Sequence, residues 1–398
     1  MRAAFLFALA LVMIAPASAQ NSDITAEDRL FHEELLVLDT HLDTPERFDV
    51  AGWEFGERHL YAHDNSQVDL PRMEAGGLDG GFFVIYTQQG PLTPAGYAVA
   101  RDAALGRAMA IHRMLGAQRD RVALVTDADQ AERARQRGRR LAFISVENSW
   151  PLGEDLTLLR TFHDLGVRMA GPVHFRTNQF ADSATGETRF RGLSTLGRQW
   201  VAEMNRLGMI IDVSHSSDAA FDQMLQLSRA PVIASHSGPR AIFAHPRNLD
   251  DGRMRALARA GGVMFVNSVY LVQHDNSDER DALSERQRHW GDLDSAQRRQ
   301  LLADLAAHNR VRPYTNATFE DFMRSLLYAV RLMGPDHVGL GADWDGGGGV
   351  IGMEDVSQLP RITARLRREG IPDADIAKIM GGNLMRVLRQ VQVAADRG

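Results

Sequence analysis

Cysteine is absent from the 398 residues. That excludes disulfides, iron–sulfur clusters, cysteine zinc ribbons and thiol nucleophiles. A basic surplus is missing too: 45 Lys+Arg stand against 51 Asp+Glu, a formal charge of −6. Nucleic-acid binders need a basic face to neutralise phosphates, so no nucleic-acid partner is expected. Internal repeats and low-complexity segments are also lacking. What remains, 44% hydrophobic and 24% charged residues, is the composition of an ordinary globular protein. Without thiolates, any metal must be held by His, Asp and Glu, a donor set that suits zinc or another divalent ion.

The N-terminus has the layout of a secretory signal. Arg2 precedes an apolar run from Ala3 to Ala15, and Ala17-Ser18-Ala19 forms a small-residue cleavage site before Gln20. Residues 1–19 are therefore expected to be removed, leaving residues 20–398 as one exported domain in the periplasm or outside the cell. The run is shorter than the about 20 apolar residues that span a bilayer, so no membrane span is expected after cleavage. The absence of cysteine rules out a lipoprotein, and the polar tail after Leu388 carries no lipid-anchor signal.

Eight apolar, β-branched runs punctuate the chain: Leu35 to Asp43, Gly80 to Thr87, Leu141 to Glu147, Val167 to His174, Met209 to His215, Pro231 to His236, Gly262 to Val269 and His337 to Asp343. Stretches of helical period lie between most of them, as at Ala95 to Leu115, Ser194 to Leu207, Met254 to Arg259 and Phe319 to Met333. Strand and helix alternating eight times predict an α/β fold, a parallel (β/α)8 TIM barrel. An open doubly wound sheet fits less well, because no glycine-rich phosphate loop follows the first strand. Two stretches depart from the alternation. Densely charged residues 273–310 read as a helical insertion after the seventh strand, either a solvated decoration or a lid over the site. Asp373 to Met380 and Asn383 to Val393 read as extra C-terminal helices that close the barrel.

The strands are distinguished by how they end. The first finishes in His41-Leu42-Asp43, the third in Glu147, the fourth in His174, the fifth in His215, the sixth in His236 and the eighth in Asp343. Alternate strand residues share a face, so His41 and Asp43 can both point into the barrel mouth, where barrel enzymes keep their catalytic residues. One buried histidine is usually a satisfied core residue. Four histidines and three carboxylates at one end would instead demand uncompensated desolvation of several charges. Metal ions remove that difficulty. His41, Asp43, His215, His236 and a bridging Glu147 suffice for two ions at the roughly 3.5 to 4 Å spacing of two-metal hydrolases, which bring the pKa of a shared water to about 7. Asp343 and His174 are then spare, one to carry protons and the other to stabilise an oxyanion.

These residues sit in a set of motifs: Asp39-Thr40-His41-Leu42-Asp43, Asp69-Leu70-Pro71-Arg72 through Gly76-Gly77, Val146-Glu147-Asn148, His174-Phe175-Arg176-Thr177-Asn178, Asp212-Val213-Ser214-His215, Ser235-His236-Ser237, Arg247-Asn248-Leu249-Asp250-Asp251 and Gly341-Ala342-Asp343-Trp344-Asp345-Gly346. In order and spacing the sequence resembles the membrane (renal) dipeptidase family of binuclear zinc dipeptidases, in the amidohydrolase-like barrel superfamily, from about Leu38 to Val387. The resemblance implies an exported dipeptidase holding two Zn2+ per chain, His41 and Asp43 on one, His215 and His236 on the other, and Glu147 bridging. It implies that His174 contacts the scissile carbonyl or its oxyanion. Asp343 would take a proton from the hydroxide bridging the metals and pass it to the leaving amine. Arg247 would bind the C-terminal carboxylate of a dipeptide, for which its planar fork is suited.

Family members often accept a D-residue at the C-terminal position. Thr40, Leu42 and Asn148-Ser149-Trp150 depart from the common family pattern beside the pocket and bear on substrate preference. The His-x-His pair and bridging modified lysine of the wider superfamily are missing, which counts against deaminase, dihydropyrimidinase and phosphotriesterase activities. Two alternatives stay open: a binuclear metal amidase or lactonase on a non-peptide substrate, and a non-catalytic exported protein that binds metal or peptide. A homodimer is compatible with the sequence.

Overall fold

A computed structural model describes residues 24–395, so the expected signal peptide lies outside the described residues. Nine parallel strands occur among them: β1 (Leu38–Leu42), β2 (Gly80–Tyr86), β3 (Val122–Leu124), β4 (Arg140–Glu147), β5 (Val167–Ala170), β6 (Ile210–Ile211), β7 (Ile233–Ser237), β8 (Val263–Val266) and β9 (Val338–Leu340). The ladder runs β1-β2-β4-β5-β6 in one sheet and β7-β8-β9 in another. Parallel bridges Asp212↔Ile233 and Leu42↔Trp344 join the two sheets at both edges, so eight strands form the ring of a (β/α)8 barrel. The ninth, β3, pairs with the start of β4 outside the ring. Three residues are too few to show an alternation, which is why the sequence pattern does not reveal it.

Side-chain alternation sorts the barrel into an inside and an outside. Along β4, Leu141 and Phe143 pack in one cluster with Leu38, Phe82, Met169, Ile210, Ile233, Val263 and Phe265. Ala142, Ile144 and Val146 face the opposite way, into a second cluster with the surrounding helices. The C-terminal helix Asn383–Ala395 contributes Leu384, Leu388 and Val391 to the first cluster. Asn383 also donates to Pro335 O and Val338 O, where β9 begins. The extra C-terminal helix therefore closes the end of the barrel opposite Glu147. It and Asp373–Ala377 form one helical run through a π turn at Lys378–Gly382, rather than two separate helices.

Several strands are shorter than their apolar runs, β5 and β6 among them. β5 stops at Ala170 because Pro172, two residues on, has no N–H for the ladder, and His174 lies in the loop beyond. β6 covers only Ile210–Ile211, and the chain then turns so that His215 takes a φ of 65°. The charged insertion consists of helices Asp278–Arg288 and Ser295–Val311. Asn309 of the second helix donates to Tyr61 Oη at 3.1 Å and to Asn65 Oδ1 at 2.6 Å, which docks the insertion onto the long loop after β1. Its base is tied by Asp275, whose carboxylate forms an ion pair with Arg312 Nε at 2.7 Å and lies 3.0 Å from His308 Nε2.

Candidate metal centre and active site

The inward face of β4 reads Leu141, Phe143, Ser145, Glu147: apolar low in the barrel, polar at the top. Glu147 stands at the centre of the cluster. Its Oε1 lies 3.0 Å from His215 Nε2, 3.4 Å from His236 Nε2 and 3.8 Å from His174 Nε2, and its Oε2 lies 3.6 Å from His41 Nε2. His41 Nε2 is also 3.4 Å from Asp43 Oδ2 and 3.9 Å from Asp343 Oδ1. All seven strand-end residues singled out in the sequence thus meet in one place. Arg247 joins them: buried, it donates to His236 O at 2.9 Å and its guanidinium lies 5.4 Å from the Tyr270 ring.

The backbone is bent to achieve this convergence. His215 and Asp343 adopt φ of 65° and 66°, and Asn148 and Asp345 beside other site residues adopt 64° and 66°. Non-glycine residues rarely hold such angles, which cluster where geometry is imposed by function. Gly346 is required for a different reason: a Cβ there would overlap the carboxylates of Asp43 and Asp343. Asp345 accepts from Thr44 Oγ1 at 2.6 Å and from Gln67 N at 2.8 Å, so it braces the β1 loop.

Charge is strongly redistributed within the cluster. Burial alone would raise Glu147, but His174, His41, His215 and His236 outweigh it and hold the carboxyl well below its ordinary range. Burial opposes charge on His41, yet Glu147 and Asp43 push that imidazole well above 6.5. Burial drives His215 and His236 well below that value, and Arg247 works in the same direction on both. His174 falls to about 4, chiefly through burial. Asp343 rises to about 8 through burial and then the nearby Asp43 and Glu147 carboxylates, against His41.

This donor set fits a metal centre. His41 Nδ1 and Nε2 and Asp43 Oδ1 are buried without a hydrogen-bond partner among the described residues. His215 Nε2 and His236 Nε2 face each other at 2.8 Å, an arrangement that a shared cation would satisfy. Three groups could each surround an ion: His41, Glu147 and His236; Glu147, His174 and His215; and His41, Asp43 and Asp343. Every donor is nitrogen or oxygen, as the absence of cysteine requires.

Residues 25–398 match the family model for membrane dipeptidases, peptidase family M19. The chain belongs to this family and is a metallo-dipeptidase. It is 33% identical over 363 residues to dipeptidase aclJ of Aspergillus oryzae, covering 87% of this chain and 77% of that protein. Among solved structures, the probable dipeptidase PvdM from Pseudomonas aeruginosa superposes with a TM-score of 0.80 at 31% identity, over 96% of this chain and all of that one. A metallo peptidase from Rhodobacter sphaeroides, liganded with a phosphinate mimic of the dipeptide L-Ala-D-Ala, superposes with a TM-score of 0.69 at 25% identity, over 90% of this chain and 99% of that one.

Several residues at the site lie outside the histidines and carboxylates read from the sequence. Tyr86 closes β2, and its hydroxyl lies 3.3 Å from His174 Nδ1. Phe175, 47% exposed, sets its ring 3.9 Å from that of His174. Tyr314, at the return from the insertion, has its hydroxyl pushed up to about 12 by burial and then by the charge of Asp343. No periodicity signals them, because each reaches the site from its own strand end or loop.

Proposed function

We propose that this metallo-dipeptidase is exported and holds two zinc ions, and that it hydrolyses dipeptides with a free C-terminal carboxylate, including those ending in a D-residue. The observation that carries the reading is the buried cluster around Glu147 lying directly beside Arg247, a buried guanidinium with no ion pair and an unpartnered Nε among the described residues. A buried cation without a counter-ion is expensive unless a ligand supplies the anion. The L-Ala-D-Ala mimic held by the Rhodobacter sphaeroides relative supports the substrate class and its stereochemistry. Signal-like residues 1–19 support export.

His41 and Asp43 would hold one ion, His215 and His236 the other, with Glu147 shared. Two such ions supply Lewis acidity and make water a nucleophile near neutral pH. The remaining work falls to the chain. Arg247 binds the carboxylate through its free donors and so sets which peptide bond reaches the cluster. His174, neutral because burial holds it at about 4, presents Nε2 toward the carbonyl without adding charge, and the Tyr86 hydroxyl orients its other nitrogen. Asp343, 3.9 Å from His41 Nε2 at the edge of the cluster, takes a proton from the attacking water and passes it to the leaving amine.

The test is a panel of L,L- and L,D-dipeptides assayed before and after chelation, with zinc restored afterwards. Hydrolysis that is lost on chelation and recovered with about two zinc equivalents per chain is expected. Failure to cleave any dipeptide in the zinc-loaded state would refute the reading.

A further inference from the structure

His236 differs from the other histidines of the cluster in what stands behind it. Its Nδ1 lies 2.8 Å from Ser235 Oγ, whereas His41 Nδ1 and His215 Nδ1 are buried with no hydrogen-bond partner among the described residues. Ser235 Oγ is in turn 2.6 Å from Asp212 Oδ2. The other oxygen of Asp212 accepts Ser214 N at 3.0 Å and Ser235 N at 2.9 Å. Asp212, Ser235 and His236 are all buried.

The donors fix the protons along this chain. Three donors converge on Asp212, which serves as acceptor only, so the Ser235 hydroxyl spends its single proton on Oδ2. Only lone pairs remain on Ser235 Oγ to face His236. His236 must then carry its proton on Nδ1 and leave Nε2 bare. That bare nitrogen is the one 3.4 Å from Glu147 Oε1 and 2.8 Å from His215 Nε2.

We propose that Asp212 and Ser235 are positioning residues, a carboxylate–serine–histidine relay that locks His236 in its ligating tautomer and makes it the preformed anchor of the metal centre. The inference rests on the reading of His236 as a metal ligand. A histidine whose outer nitrogen is already committed loses less freedom on binding and presents a more basic donor.

The test challenges purified, metal-loaded protein with graded chelator and measures zinc retained per chain, with circular dichroism as the control for folding. Ser235→Ala removes the acceptor on Nδ1, and its zinc should be stripped at about 10- to 100-fold lower chelator concentration. Asp212→Asn should be worse. Its Oδ1 keeps both backbone bonds, but the amide nitrogen now donates to Ser235, which turns its own proton toward Nδ1 and forces the His236 proton onto Nε2. A merely structural role gives the opposite order, since asparagine preserves shape and backbone contacts. Retention by Ser235→Ala within twofold of the parent, or Asp212→Asn milder than Ser235→Ala, overturns the relay. Should Asp212→Asn fail to fold, the Ser235→Ala shift decides alone. His236→Ala is the separate arm: unchanged zinc in that variant refutes the ligand assignment itself rather than the relay.

Discussion

Arg247 offers the sharpest test of substrate recognition, because the same side chain has one bond to the protein and free donors toward the site. Its bond to the protein is the 2.9 Å contact with His236 O, and that carbonyl retains Asn267 Nδ2 at 3.5 Å if Arg247 is removed. The histidine and carboxylate cluster should therefore stay in place in Arg247→Ala. Under the proposed role, what is lost is a charge-assisted pair with the substrate carboxylate. Hydrogen bonds to charged groups contribute about 1.5–3 kcal/mol each. Two of them, partly offset by desolvation, give about 3 kcal/mol, or about 150-fold in kcat/KM. The assay compares a dipeptide with its C-terminal amide in parent and variant. The parent should prefer the free acid by about that factor, and Arg247→Ala should cleave both at similar rates with unchanged zinc content. A variant that keeps the parent's acid-to-amide ratio would refute the assignment, whatever its absolute activity.

Other substitutions probe the supporting structure. Gly346→Ala places a methyl group against the Asp43 and Asp343 carboxylates; a displacement of about 1 Å should lower kcat by about 100-fold while the melting temperature stays near the parent's. Asp275→Asn removes the charge between Arg312, His308 and the buried Arg280. It should destabilise by about 1 to 2 kcal/mol and speed hydrogen exchange across 278–311; unaltered exchange there would show that Asp275 does not hold the insertion. His32 titrates against stability. Its ring nitrogens meet Thr363 Oγ1 at 2.7 Å and Gly76 O at 2.9 Å, and burial sets its pKa below the ordinary 6.5. The unfolded chain then takes up the proton first, so this contribution is complete above pH 6.5 and declines as pH falls below it. The drop in melting temperature between pH 7.5 and pH 5 should shrink in His32→Gln, and an identical drop in both proteins would contradict the assignment.

The barrel was legible because its strands are buried on both faces and its helices on one. A run such as Gly80 to Thr87 is apolar throughout, whereas Phe319 to Met333 repeats at helical spacing, and both elements fall where the pattern places them. Boundaries were less legible where the ladder ends for reasons that hydrophobicity does not record. Pro172 ends hydrogen bonding before His174, and the positive φ of His215 turns the chain out of β6 while the sequence still reads as strand. The convergence of the candidate residues does not depend on these boundaries, since a histidine just past a strand end still projects over the barrel mouth.

The partners behind the cluster residues were not legible, and the reason is physical. Asp39 and Asp212 look like interruptions in apolar runs, two and three residues before His41 and His215. Asp39 accepts His41 N at 2.9 Å from its own strand and Ala342 N at 3.0 Å from the segment after β9. Asp212 does the same with Ser214 N and with Ser235 N of β7. A strand that twists to aim a side chain into the barrel mouth stops laddering, and each backbone N–H left behind in the core needs an acceptor. A buried carboxylate supplies two oxygens at that point and ties the turning strand to its neighbour. Each of these two turns thus carries its own clasp, and the acid looks misplaced in the sequence because its partners are backbone groups of a segment more than 20 residues away.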